Sequence, residues 1–421
     1  MKVLLVNTSG KTGGAAIAAS RLMSSLQNMG VYAKMLVANK EDDNLSIISL
    51  NQPLRHKWRF MSERFGIFMR QGFKKHHLFE IDPATTGADI TKLPEFKEAD
   101  LIHLHWVNQG FLSLKSIRKI LESGKPVVWT MHDMWTFTGI CHYARECNNY
   151  KEQCGSCTLL TRQGNNDLSH KIWLKKQCLW NKYPKLTFVA CSKWLADIAK
   201  ESPLLASHKV LDIVNPIDSK LYAPRDKEAA RKELNLPSGQ TLILFCAYNV
   251  TLPIKGLSYL KEACEILIKQ NPELKQKLGL VLVGKCSEAV KDDFPIKTYP
   301  MGFVSDEALK ARIYNAADIF CIPSLQDNLP NTIVEAKASG LPVVGSRIGG
   351  IPQMISHGDD GYLVEPKDAT SLAEGIKWLL METDLDAVSK RSRANAVAQY
   401  SETAVAEKYI KLYEQLTENE C

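Results

Sequence analysis

Asp327 and Glu335 stand eight positions apart, on either side of Pro330. Ile319–Ile322 before them is an apolar run of buried-strand length. Pro330 suits the first turn of a helix, where a missing N–H costs nothing, and Gly340 suits its stop. The free N–H groups from Leu329 to Thr332 then point toward an anion. Asn328, Leu329, Asn331 and Thr332 become candidate binding positions, with the two carboxylates as acceptors for hydroxyl groups. A phosphate flanked by hydroxyl acceptors describes a sugar–phosphate site. Lys255-Gly256 follows the run Ala247–Thr251 and opens another helix. A lysine at a helix mouth can neutralise a departing diphosphate, although an exposed loop lysine is its commoner fate. His132 ends the run Thr130–Asp133, where it can donate to a sugar hydroxyl or an oxyanion or serve structure alone. Gly13-Gly14 follows the first strand, and two glycines admit either a close ligand or a tight turn. Gly10-Lys11-Thr12 is no P-loop, because Leu5 stands where that motif needs glycine.

The elements that must position these residues alternate. Lys2–Val6, Ala33–Val37, Leu101–Leu104, Val127–Met131 and Phe188–Cys191 read as buried parallel strands. Ala15–Met29 has the period of a helix. Leu242–Cys246, Leu280–Val283, Ile319–Ile322 and Val343–Gly345 repeat the strand signal, with helices near 256–269, 305–316, 330–339 and 369–380 between them. Two doubly wound α/β domains follow, in which ligands bind at the carboxyl ends of strands. The expected link lies at Asn215–Asp218, which divides a domain of residues 1–215 from one of residues 216–400. A last helix occupies residues 401–421, with apolar positions at helical spacing from about 402 to 416.

Length agrees, since 421 residues exceed one ordinary core. With 45% hydrophobic and 24% charged residues the composition is that of a globular domain. The apolar runs fall short of the roughly 18 residues a membrane span needs. The opening run is a strand rather than a secretory signal, so the chain is expected in the cytoplasm or at the inner face of the cell membrane. A net charge of +7 favours a phosphate-rich ligand or a membrane surface as much as nucleic acid. The chain has no motif for nucleic acid, and that partner is not expected.

Of the 11 cysteines, Cys141, Cys147, Cys154 and Cys157 fall within 17 residues. They could hold a structural zinc through four thiolates or remain unliganded loop residues. Residues 54–78 carry seven Lys and Arg against Glu63 alone, interleaved with Trp58, Phe60, Phe65, Phe68 and Phe73. A basic, aromatic helix suits an anionic bilayer; the alternative buries Trp58, Phe65 and Phe68 under the first sheet.

The stretch from Ile322 to Gly345 resembles the acidic pair of the retaining glycosyltransferases of family 4, which have the GT-B fold. The resemblance continues through Gly349–Gln353 and Gly358–Val364, and covers most of the C-terminal half and thinner parts of the first half. It implies two Rossmann-like domains facing a cleft, with the last helix returning to the first domain. It further implies transfer of a sugar from a UDP- or GDP-sugar to a glycan or lipid-linked acceptor, as in surface polysaccharide assembly, without a catalytic metal. By resemblance, Glu335 holds the nucleotide ribose, Asp327 the donor-sugar hydroxyls, Lys255 the diphosphate and His132 the donor sugar, with Gly13-Gly14 near the acceptor. The family usually has Glu where Asp327 stands, and an Arg in the neighbourhood of Asn249 and Val250. That departure keeps a catalytically weak sugar-nucleotide-binding protein open, beside an epimerase or phosphorylase on the same fold.

Overall fold

The computed structural model describes residues 1–40 and 43–418; the last three positions of the expected C-terminal helix, 419–421, lie outside the described residues. The chain divides into two compact units, Met1–Pro216 with the segment from Val405 onward, and Ile217–Ala404.

The first unit is built on seven parallel strands: β1 (Lys2–Val6), β2 (Tyr32–Val37), β3 (Ile47–Ser49), β4 (Leu101–Leu104), β5 (Val127–Met131), β6 (Thr187–Ala190) and β7 (Val210–Asp212). Their spatial order is β3-β2-β1-β4-β5-β6-β7. The order reverses between β1 and β4, which is the switch point where doubly wound sheets bind ligands. Side-chain alternation along a strand explains the two covered faces. Leu4 and Val6 of β1 enter one core with Phe111, Ile117, Trp129 and Trp180. Val3 and Leu5 enter the other, with Leu22, Met23 and Leu26 of helix α1 (Gly14–Asn28). That second core also takes Val405, Ala406, Tyr409, Leu412 and Tyr413 from the last helix (Glu402–Glu418). The helix Glu402–Glu418 therefore completes a core of the first unit.

The second unit repeats the plan with β8 (Thr241–Asn249), β9 (Leu278–Lys285), β10 (Lys297–Gly302), β11 (Ile319–Ile322), β12 (Val343–Ser346) and β13 (Gly361–Val364). All pair in parallel, in the order β10-β9-β8-β11-β12-β13, which puts its switch point between β8 and β11. Ile243, Phe245, Leu280 and Leu282 pack against Leu260, Ala263, Cys264 and Leu267 of the helix Leu257–Gln270. Both units are Rossmann-like α/β sheets. No helix among the described residues is long and apolar enough to cross a membrane.

Candidate functional site

At the switch point of the second unit the structure brings Lys255 and Asp327 together. The ammonium Nζ donates to Asp327 Oδ2 at 2.7 Å, and both side chains keep some exposure. Ser324 Oγ donates to the same carboxylate oxygen at 3.2 Å. Two glycines make this possible. Gly256 has φ +73°, and a Cβ there would sit 1.9 Å from the Pro323 carbonyl oxygen. Gly349 has φ +56°, and its Cβ would sit 1.8 Å from the Asp327 carbonyl oxygen. The loop after β11 is thus clamped between two backbones that only glycine lets approach so closely.

The helix that follows runs Asn331–Ala338, with Pro330 as its N-cap. Asn328 and Leu329 are buried before it; Asn331 and Thr332 are half-buried in its first turn. Glu335 is only 2% exposed, and one of its oxygens accepts from Tyr314 Oη at 3.0 Å. Burial and the neighbouring Cys246 and Glu335 drive the Tyr314 hydroxyl well above its ordinary pKa, so it stays a donor. Asn249 turns its amide oxygen on Thr251, accepting from the N–H at 3.0 Å and the hydroxyl at 2.8 Å. It shapes the turn that leads to Lys255.

In the first unit Gly13 is the N-cap of α1 with φ +95°, and open space lies where its Cβ would be. Gly13 and Gly14 are exposed at the end of the β1 loop. His132, just past β5, meets His105, just past β4, at 3.0 Å between Nε2 and Nδ1. Behind them His103 bonds Tyr413 Oη at 2.6 Å and Thr130 Oγ1 at 2.7 Å. Burial pushes His132 down to about 4 and His103 to about 3, and His105 well below its ordinary value. All three are neutral at pH 7, so His132 acts as a polar donor or acceptor rather than a charge.

The unfolded chain, with histidines near pKa ~6.5, takes up protons that the folded one refuses. The histidine contribution is complete above about pH 6.5 and is lost as pH falls toward the folded values. Urea unfolding should therefore show falling stability between about pH 6.5 and 5, before most carboxylates titrate. Glu63, which burial raises to about 7, acts with the opposite sign there, so the comparison is made in Glu63→Gln, where a flat profile would contradict the burial of this cluster.

The four clustered cysteines line two adjoining apolar clusters, near enough to act on one another's ionisation. Cys154 is buried in the main core, with Cys147 packed against it. Cys157 is buried in a smaller cluster around Ile67, Ile81 and Ile140, with Cys141 packed against that one. Burial pushes Cys141 up to about 12 and Cys154 up to about 11, and raises Cys157. Among the described residues no group of three or more His, Cys, Asp or Glu is gathered to hold a metal.

Two features escaped the sequence. Tyr248 and Phe303 meet edge to face at 5.3 Å, with Lys285 Nζ donating to Tyr248 Oη at 2.6 Å. These residues end or follow β8, β10 and β9, and both rings are about half exposed. An exposed aromatic pair beside a cation can receive a planar, anionic ligand. Only the strand order shows that three distant positions share one edge. The second is Asp360, within the Gly358–Val364 stretch. It is buried against Lys337 of the helix Asn331–Ala338, at 2.6 Å, and takes further bonds from Asn395 Nδ2 and the Ser356 N–H. A motif residue thus anchors the helix that carries Asn331 and Glu335.

Comparison with known proteins finds similarity over part of the chain and over its whole length. Residues 240–382 match the family described as Glycosyl transferases group 1. The chain is 23% identical to the Escherichia coli (strain K12) protein named "Putative colanic acid biosynthesis glycosyl transferase WcaC", over 99% of this chain and 100% of that one. It is 32% identical to D-inositol 3-phosphate glycosyltransferase 2 of Catenulispora acidiphila, over 40% of this chain and 42% of that protein. Among solved structures, sucrose-phosphate synthase from Thermosynechococcus elongatus has a TM-score of 0.70 at 18% identity, covering 100% of both chains. Anabaena HepE in complex with UDP has a TM-score of 0.62 at 17% identity, covering 99% of this chain and 100% of that one. At these identities the structural likeness is one of fold, the pair of Rossmann-like units called GT-B.

Proposed function

We propose that this chain, which carries a group 1 glycosyl transferase domain over residues 240–382, moves a sugar from a UDP- or GDP-sugar to a hydroxyl of a lipid-linked glycan. The setting is surface polysaccharide biosynthesis, at the inner face of the cell membrane. The observation that carries the reading is the Lys255–Asp327 pair at 2.7 Å, seated at the switch point beside the mouth of the helix Asn331–Ala338. A cation, a hydroxyl acceptor and the amides of a helix mouth are what a sugar diphosphate needs. The relative named for colanic acid biosynthesis supports the setting, and HepE, solved with UDP, supports a uridine donor.

In the proposed reaction the bond between the anomeric carbon and the diphosphate oxygen breaks, and its electron pair leaves with the nucleoside diphosphate. The acceptor oxygen forms the new bond on the same face, with retention, and its proton passes to the departing phosphate. Lys255 and the backbone N–H groups of Leu329, Asn331 and Thr332 stabilise the leaving charge. In the second unit Asp327 orients sugar hydroxyls and Glu335 holds the ribose; in the first, His132 is a neutral imidazole able to donate a hydrogen bond. Gly13 and Gly14 leave room for the acceptor, and Asn249 sets the turn before Lys255. Tyr248 and Phe303 offer a face to the base. No catalytic metal is invoked, because Lys255 supplies the positive charge.

A second reading, a sugar-nucleotide-binding protein without turnover, is favoured by one observation. The neighbourhood where the family carries an arginine is held by Asn249 and Val250, and the amide oxygen of Asn249 is occupied by Thr251. A thermal-shift screen across UDP- and GDP-sugars separates the readings when followed by assay of nucleotide release. A donor at 100 times its dissociation constant should add about 2.7 kcal/mol of stability. Glu335→Ala should remove most of that shift. Stabilisation followed by release of the diphosphate and a product of unchanged anomeric configuration is expected. Stabilisation without release would favour the binding protein, and no stabilisation by any sugar nucleotide would sink both.

A further inference from the structure

Helix α2 (Pro53–Arg70) is packed with its polar side inward. Arg64 Nη2 donates to Asp82 Oδ2 at 2.9 Å, and both side chains are buried. Glu63 Oε1 accepts from the Thr85 N–H at 2.8 Å, and the Arg59 carbonyl accepts from Thr86 Oγ1 at 3.0 Å. Just past the helix, Gln71 Nε2 donates to the Leu159 carbonyl at 2.6 Å. These bonds fix the rotation of the helix, and the helical period then decides what faces outward.

What faces outward is apolar. Leu54, Trp58, Met61, Phe65 and Met69 recur at spacings of three and four, and Phe73 extends the line past the helix end. Leu54 is 82% exposed, Trp58 70%, Phe65 60% and Phe73 62%. Burial of Trp58 and Phe65 under the first sheet, one of the two expectations for this segment, is thereby corrected: the buried ion pair claims the inner face. Arg55, Lys57, Arg70, Lys74 and Lys75 are exposed along the same segment, and its one acid, Glu63, is buried. A contiguous exposed apolar stripe marks an interaction surface.

We propose that this face of α2, with the turn to Lys75, docks the protein on an anionic lipid bilayer. Aromatic side chains seat at the headgroup boundary, while Lys and Arg pair with anionic headgroups around them. A second copy of the chain is a poor occupant, because a two-fold contact would set five cations against the same five. A polyanion without an apolar phase would leave the aromatic stripe in water. The inference rests on the lipid-linked-acceptor reading for its purpose: docking brings the transferase to the plane where such an acceptor lies. The physical attachment stands on the helix alone.

The test is co-sedimentation of the full chain with phosphatidylcholine vesicles, with and without phosphatidylglycerol, at low and high salt. No donor or sugar-lipid is present, so failure here leaves the transferase reading untouched. Binding to the anionic vesicles at low salt is expected, weakened strongly at high salt. R70E/K74E/K75E should weaken it on the order of 100-fold, at roughly fivefold per cation lost. W58E/F65E should also release the protein, with every cation retained. Circular dichroism checks the fold of each variant; should W58E/F65E unfold, K74E/K75E, beyond the helix, carries the test. Wild type left in the supernatant with anionic vesicles at low salt overturns the proposal. So does binding that folded variants retain in full. Sedimentation velocity showing a dimer dissociated by W58E/F65E would make the face a contact between copies, and would equally overturn it.

Discussion

Lys255→Ala is expected to lower turnover by roughly 10²–10³-fold, about 2.7–4 kcal/mol of transition-state stabilisation, while the protein stays folded. The reasoning starts from the ion pair. Without donor, Lys255 is paired with Asp327 at 2.7 Å. A diphosphate entering the helix mouth competes for that ammonium, and its demand grows as negative charge collects on the leaving oxygen. An interaction that strengthens toward the transition state shows in kcat more than in KM. The lost ion pair should cost little stability, because Lys255 is partly exposed and such pairs contribute on the order of 0–1 kcal/mol. Lys255→Arg keeps the charge but not the compact ammonium, and should retain part of the rate. Steady-state kinetics on the variant decide the matter: wild-type kcat in Lys255→Ala would remove the lysine from the leaving-group role. Loss of fold would show as a lowered melting temperature rather than a selective loss of turnover.

The strands that were legible in the sequence are those in the interior of each sheet. β1, β2, β4, β5 and β6 of the first unit and β8, β9, β11 and β12 of the second read as apolar runs because both faces are covered. The four that escaped, β3, β7, β10 and β13, are the four edge strands. β3 and β7 are three residues long and partly exposed, and β10 carries Pro300, which a central strand would not tolerate. The same limit governs the site. Asp327, Glu335 and Lys255 were visible because each lies in a local strand–turn–helix pattern. The Lys255–Asp327 bond spans 72 positions and needs the switch point of the fold to be seen. The orientation of α2 was hidden for another reason. Its pattern shows two faces, and only Asp82, 18 positions beyond Arg64, decides which turns inward.

The largest expected effect on stability belongs to Asp360. Its carboxylate holds Lys337 at 2.6 Å with both side chains buried, accepts from Asn395 Nδ2 at 2.7 Å, and caps the Ser356 N–H at 2.8 Å. Burial draws the Lys337 pKa down and Asp360 opposes that shift, so the ammonium depends on its partner. Asp360→Ala strands a buried cation, which costs about 3–5 kcal/mol in comparable pairs, with deprotonation of Lys337 as the only relief. The consequence reaches the site because Lys337 lies on the helix that carries Asn331 and Glu335. The variant should unfold at lower urea concentration and lose nucleotide-sugar stabilisation with it. Replacing both partners, as K337M/D360L, removes the stranded charge and should recover much of the stability, since an apolar pair often matches a buried ion pair. A single-site loss below about 0.5 kcal/mol, the range of surface substitutions, would mean that the pair is not desolvated. Recovery in the double variant without recovery of nucleotide binding would instead assign Asp360 a direct part in the site, beyond anchoring its helix.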